Sequence, residues 1–400
     1  MKFKILFLLA IILIPDFGFT NPIVSGVDGT FQDNNIITIS GCDFGSHADY
    51  ASSKEYLAAG WEDLDDGSLD TDVFEINDGA RAERISDVNI NRGNSDYCAN
   101  AFIRSSDRTY TDLLGNTVTN ERGYSTSVDL PDDTQIVFIS GWFMFPAGYV
   151  DAVEGSLNQC KFMTAYPYGK TAADNDQAKT FWIVNSDFVA ACFEDGPIYD
   201  HFSDISKLGG SGAIVENEWH RYDIAIDTSR SACNKVRYFY FDGKRTIDST
   251  FDCTSCGVQS REYYTEPPTC GSLEQYCPRF WDTATWGQYM RLDGGSEFNL
   301  YYDDMYVSKT WARIEVSDNA EWSESTYAHK EIQIPVSWSS DEITFRFNQG
   351  SFNDSEQLYL YIIDENNNAS EAISFVVGQP ADDIDPALSP PGGLDATPIQ

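Results

Sequence analysis

The chain has 400 residues, 42% of them hydrophobic and 14% aromatic, with 26 basic against 63 acidic side chains and a formal net charge of −37. That length exceeds what one core usually holds and predicts two or three domains, while the apolar content excludes wholesale disorder. So acidic a chain lacks the basic face of a nucleic-acid reader, and anionic membranes repel it. With 22 Tyr, 25 Phe and 9 Trp against 5 Met, the composition favours sheets over helical bundles.

Residues 1–20 read as a secretory signal. Lys2 and Lys4 form a basic start, residues 5–14 are an apolar run too short to span a bilayer, and Pro15 breaks it. The mature protein is therefore expected to be secreted or held at the cell surface, with no membrane span. Nine cysteines, Cys42, Cys98, Cys160, Cys192, Cys233, Cys253, Cys256, Cys270 and Cys277, fit an oxidising compartment, and their odd number leaves at least one thiol unpaired within the chain. Cys253-x-x-Cys256 with Cys270 and Cys277 is open to a zinc reading, but the spacing is loose and export favours disulfides that staple the loop 252–279.

Pro22-Ile23-Val24-Ser25-Gly26-Val27 predicts a short strand. Ile37 and Ile39 alternate with Thr38 and Ser40 on a second, ended by Gly41-Cys42-Asp43-Phe44-Gly45. Two strands are marginal alone and need partners from elsewhere. Residues 47–311 carry the punctuation of a larger sandwich. Its strongest strand is predicted at 135–145, followed by strands at 179–184, 188–193, 218–226, 236–241 and 298–307; residues 51–59 are the best helical candidate. After Trp311 come four period-two runs: Ile332 with Ile334, Ile343 with Phe345 and Phe347, Leu358 with Leu360 and Ile362, and Ile373 with Phe375 and Val377. These are expected to complete the module opened by Pro22 to Gly45. Residues 379–400 lack apolar periodicity and read as a linker or disordered tail.

Two resemblances rest on these runs. Pro22-Ile23-Val24-Ser25 leading to Ile37-Thr38-Ile39-Ser40-Gly41-Cys42-Asp43-Phe44-Gly45 is similar to the opening of IPT/TIG immunoglobulin-like domains, and residues 312–377 resemble the remainder. Trp219-His220-Arg221-Tyr222-Asp223-Ile224, Val236-Arg237-Tyr238-Phe239-Tyr240-Phe241-Asp242-Gly243 and Tyr301-Tyr302-Asp303-Asp304-Met305-Tyr306-Val307 resemble the last core strands of concanavalin-like (laminin-G-like) jelly rolls. The first likeness implies a structural or binding module without catalysis. The second implies carbohydrate binding or, in some branches, polysaccharide cleavage, often with structural calcium. The expected architecture is all-β: a signal at 1–20, a small immunoglobulin-like sandwich from 21–46 and 312–378, and a jelly roll at 47–311 inserted within it.

Two constellations carry candidate chemistry. First and last strands of such sandwiches are usually neighbours, so Glu62 would meet Asp303 and Asp304; carboxylates gathered there repel unless a cation sits among them, and one structural calcium is expected. Tyr263, Tyr264, Trp281, Trp286 and Tyr289 lie in or beside the cysteine-rich loop, and flat aromatic rings suit the apolar faces of sugars, although aromatics also favour sheet interiors. No catalytic residue is named: the four histidines are far apart, and no Gly-x-Ser-x-Gly, His-Glu-x-x-His or P-loop motif occurs. The leading expectation is non-catalytic binding of an extracellular polysaccharide or glycoconjugate. A structural or adhesive surface protein that self-associates or packs against protein neighbours is a second reading, and a polysaccharide lyase or glycoside hydrolase a third.

Overall fold

The computed structural model of the protein describes residues 21–47, 92, 126–131, 133–149, 215–229, 236–248, 280–291 and 297–381. It also defines, as strands, 57–59, 83–85, 98–104, 108–111, 117–120, 159–167, 179–184 and 187–192. In chain order the strands are β1 (Ile23–Asp28), β2 (Ile36–Cys42), β3 (Leu57–Ala59), β4 (Glu83–Ile85), β5 (Cys98–Arg104), β6 (Arg108–Thr111), β7 (Thr117–Asn120) and β8 (Thr126–Asp129). There follow β9 (Ile136–Met144), β10 (Gln159–Pro167), β11 (Lys179–Val184), β12 (Asp187–Cys192), β13 (Trp219–Asp227), β14 (Val236–Phe241), β15 (Lys244–Asp248), β16 (Trp281–Arg291) and β17 (Glu297–Ser308). The last five are β18 (Arg313–Ser317), β19 (Lys330–Trp338), β20 (Glu342–Arg346), β21 (Gln357–Ile363) and β22 (Ile373–Val376). The all-β class expected from the sequence is the observed one. Residues 57–59 of the helical candidate are strand β3, paired with β17 through Met305↔Ala59, and 51–56 lie outside the described residues. Among the described residues, no helix is long and apolar enough to cross a membrane.

Two antiparallel sheets build the larger body. One runs β15-β14-β13-β9-β17-β5-β4, with β3 also on β17; the other runs β12-β11-β10-β16-β8. Side chains alternate across a strand, so β9 sends Val137, Ile139, Gly141 and Phe143 to one face and Phe138, Ser140 and Trp142 to the other. The first face meets the second sheet: Phe143 and Tyr222 lie against Phe162 with centroids 4.8 and 5.0 Å apart, and Trp286 donates its indole N–H to the Ser140 carbonyl at 2.9 Å. Glycine at 141 lets the sheets approach. A Cβ there would sit 2.9 Å from the Trp286 ring, which cannot move without losing its buried hydrogen bond.

Besides the two-stranded ribbon β6-β7, a third sheet is continuous by hydrogen bonding, in the order β1-β2-β20-β19-β18-β21-β22, and folds on itself at β19. Residues 330–333 of β19 pair with β18, and Ile334 to Trp338 pair with β20 across a bulge between Pro335 and Ser337, so one strand belongs to both halves of the sandwich. The amino-terminal strands enter through β2 on β20, from Ile36↔Arg346 to Ser40↔Glu342. Phe31, Ile37, Ile39 and Phe44 share one core with Ile314, Val316, Phe345, Leu360, Ile362 and Phe375. Gly41 abuts the Ile23 carbonyl and the Phe44 ring, where a Cβ has no room, and Gly45 turns the chain with φ +69°.

The second face of β9 and the matching face of β13 are covered by β18 and β19. An apolar cluster of Phe138, Ala225, Tyr238, Tyr240, Tyr306, Trp311 and Ile332 fills part of this junction. Beside it lies a charged knot. Glu315 Oε1 accepts from Arg221 Nη2 and Arg313 Nε, both at 2.9 Å, and its Oε2 accepts from Trp322 Nε1 at 2.9 Å. Arg221 also reaches Asp223 at 2.9 Å and the Lys330 carbonyl at 2.9 Å. Burial alone pushes the Glu315 carboxyl up, and the neighbouring Arg313, Arg221 and Lys330 reverse this and hold it well below the usual carboxylate range. Substitution Glu315→Gln leaves two buried guanidinium groups facing a neutral amide. It is expected to cost about 3–5 kcal/mol, read as a lower denaturant midpoint with an unchanged slope.

His47 follows β2, 7% exposed, with its ring 5.0 Å from that of Trp338. Burial lowers its pKa from 6.5 to about 4. The unfolded chain therefore binds the proton more readily. The contribution of neutral His47 is fully present above pH 6.5 and is lost as pH falls through 4, to the extent of about 3 kcal/mol. A His47→Phe variant is expected to lose less stability between pH 6.5 and 4 than the parent in denaturant titrations at stepped pH.

Candidate functional site

Where the outward face of β9 and β13 runs out from under the smaller sandwich, a cavity of about 440 Å³ opens, within the range of small-molecule sites. Both bodies build it. The larger body supplies Trp142 of β9, Trp219 and His220 of β13, Asp242 from the turn after β14, and Arg92; the smaller sandwich supplies Asp318, Tyr327, Ala328 and His329 between β18 and β19, and Ser351 after β20. Trp142 is 6% exposed and forms a floor, Trp219 is half-buried, and Tyr327 stands 48% exposed.

Local structure fixes each wall. Asp242-Gly243 links β14 to β15 with φ of +45° and +71°, the paired left-handed conformation of a two-residue hairpin turn. The Asp242 carboxylate accepts from the Arg221 backbone N–H at 2.9 Å through Oδ1 and contacts His220 Nδ1 at 2.8 Å through Oδ2. Its carbonyl accepts from the Ala328 N–H at 3.0 Å, and Lys330 Nζ donates to the Gly243 carbonyl at 3.3 Å, tying the 318–329 segment to the turn. Tyr327 packs edge-on to Phe241 at 6.0 Å and carries Lys244 Nζ 4.4 Å from its ring centroid.

On the opposite wall, Arg92 clamps Glu331 with Nη1 to Oε1 at 2.6 Å and Nη2 to Oε2 at 2.8 Å, and Nη2 also meets Asp304. The guanidinium lies 4.2 Å from the Trp142 ring centroid. His329 stacks on Phe352 at 4.1 Å and meets Trp142 edge-on at 5.3 Å. Burial pushes the Glu331 carboxyl up, but Arg92 and the His329 contact outweigh it and hold the group far below the ordinary carboxylate range. His329, Glu331 and Ser351 do not form a nucleophilic relay. Such a relay uses both ring nitrogens, whereas here Glu331 Oε1 at 2.6 Å and Ser351 Oγ at 3.1 Å meet the same Nε2.

The aromatic site expected from the sequence has a different placement. Trp281 and Trp286 are fully buried on β16, the strand between β10 and β8, and Trp286 packs against Gly141 of the other sheet. Tyr289 lies on the same strand, opposite Lys161, and Tyr263 and Tyr264 lie outside the described residues. Of the expected calcium set, two residues are described. Asp303 is fully buried, its Oδ1 accepting from the Asp304 N–H at 2.9 Å, while Asp304 at the β17 bulge is ion-paired to Arg92; Glu62 lies outside the described residues. A carboxylate neutralised by a guanidinium makes a poor cation ligand, and no cluster of three or more His, Cys, Asp or Glu suited to a metal occurs among the described residues. The loop 252–279, where disulfides are expected, lies outside them too, and Cys42 is exposed and unpaired.

No family model matches the chain, and no curated protein sequence matches it. Among solved structures it is similar to the receptor-binding domain of botulinum neurotoxin type G, with 9% identity over 82% of this chain and 79% of that one and a TM-score of 0.30. The serotype D ligand-binding domain, in complex with N-acetylneuraminic acid, has 10% identity over 68% and 69% and a TM-score of 0.29. Trypanosoma rangeli sialidase has 7% identity over 52% of this chain and 30% of that one, with a TM-score of 0.27. Likenesses of this size carry no argument about site or ligand.

Trp286→Ala is expected to act as a core deletion, lowering stability by about 3–5 kcal/mol with loss of the inter-sheet hydrogen bond. Thermal unfolding of the variant checks this.

Proposed function

We propose that the protein binds a carbohydrate without cleaving it, and that the cavity at the junction is where it does so. The observation that carries this reading is the make-up of the walls: Trp219 and Tyr327 offer partly exposed rings above the Trp142 floor, and His220, Asp242, Asp318 and Ser351 stand among them as polar groups. Sugar rings pack their C–H faces on such rings, and their hydroxyls need nearby acceptors and donors held in fixed positions. The Asp242 turn and the Glu331–His329–Ser351 contacts supply that fixity. In this reading the protein is exported, its partner is an extracellular polysaccharide or glycoconjugate, and the smaller, IPT/TIG-like sandwich both supports the concanavalin-like body and furnishes half of the site.

Two results follow for glycan retention. The parent protein is expected to be retained on one class of immobilised glycan with saturable binding and no release of reducing ends or unsaturated products. Trp219→Ala, half-buried and outside the charged knot, is expected to weaken that retention by about tenfold or more while moving the melting temperature by only a few degrees. Retention unchanged by Trp219→Ala removes the cavity from the account.

A further inference from the structure

We infer that the cavity selects uncharged saccharides and turns away those bearing a carboxylate, such as sialic or uronic acids. This rests on the reading of the cavity as a glycan site and adds a statement about which glycans enter.

The argument is one of charge. An acidic sugar is held in a partly dry pocket by a cation with donors to spare, ordinarily an arginine fork. Arg92 is the arginine lining this cavity among the described residues, and its terminal nitrogens are committed: both engage Glu331, and Nη2 also meets Asp304, while Nε is buried without a hydrogen-bond partner. Two carboxylates face that one cation, so the wall is negative even after pairing. The lining carboxylates are Asp242 and Asp318. Asp242 contacts His220 and a backbone N–H, and no ion pair reaches Asp318 on the exposed rim among the described residues. Two ammonium groups among the described residues touch the Asp242-Gly243 turn or the Tyr327 ring. Lys330 Nζ donates to the Gly243 and Ser323 carbonyls, and Lys244 lies over the Tyr327 ring.

A carboxylate entering here gives up water, finds no free pair of terminal guanidinium nitrogens among the described lining residues and meets carboxylates of its own sign, within a chain whose net charge is −37. A neutral sugar has the opposite fit. Its hydroxyls are donors, and the Asp318 carboxylate and the Ser351 and Tyr327 oxygens accept; hydrogen bonds from hydroxyl to carboxylate are the stronger, charge-assisted kind. The selectivity arises by exclusion, through the unpaired charge set against the wrong ligand.

The test is an array of neutral oligosaccharides, each printed beside its counterpart carrying a terminal sialic acid or a uronate, probed with the parent protein and with Asp318→Lys. The parent is expected to retain neutral members about tenfold or more over their acidic counterparts at low salt. Reversing the rim charge is expected to narrow that ratio by about tenfold, and 0.5 M salt to shrink the difference between the two proteins. Acidic members retained as well as neutral ones by the parent would overturn the selectivity while leaving the glycan reading in place, and a ratio unmoved by Asp318→Lys also counts against it. Retention of neither class removes the glycan reading and the selectivity together.

Discussion

Glu315 sits with 2% of its side chain exposed between the guanidinium groups of Arg221 and Arg313, and the placement of everything else at the junction follows from it. Arg221 belongs to β13 of the larger body, and Arg313 and Glu315 to β18 of the smaller sandwich, so one carboxylate is shared across the two. Buried ions are a weak source of net stability, since desolvation takes back most of the attraction. They are directional, however. A guanidinium that must satisfy Glu315, Asp223, Ser140 and the Lys330 carbonyl together has one acceptable position, so the knot fixes how the sandwich sits on the sheet and not merely that it does. The cavity needs that fixity, because its walls come from both sides.

This also explains the run from Ile136 to Phe145. A half-buried strand alternates apolar and polar residues, whereas a strand covered on both faces reads as nearly continuous apolar sequence. β9 is covered twice, by β10 and β16 on one side and by the smaller sandwich on the other, and its two small residues mark the closest approaches. Gly141 admits the Trp286 ring, and the Ser140 hydroxyl accepts from Arg221.

The strands of the smaller sandwich were legible because alternation and turn residues agree there: Ile37 with Ile39, Ile343 with Phe345, and Leu358 with Leu360 point inward between polar neighbours. β16 was not legible. Thr283, Thr285 and Gln288 interrupt the aromatics after a cysteine- and proline-rich stretch, so the sequence leaves open whether Trp281 and Trp286 stand in a loop or in a sheet interior. The cavity was hidden for another reason. Trp142, Asp242 and His329 are distant in sequence, and only the pairing of β9 with β13 and the docking of the 318–329 segment on the Asp242-Gly243 turn bring them together. The Asp-Gly pair was the local clue available, since it marks a hairpin tip, but nothing in the sequence says that a second body leans on that tip.

The sharing of β20 between β2 and β19 sets an order of events during synthesis. The first two strands pair with each other, but the strand that carries them into the sheet is not made until Glu342–Arg346 has emerged. Until then Ile37 and Ile39 have nothing to bury against, and closing so long a loop early brings an entropic penalty without contacts to repay it. The intervening body is thus translated in full before the hairpin that precedes it can dock, and a nascent chain stalled short of β20 would display an open strand edge for chaperones or a second copy to capture.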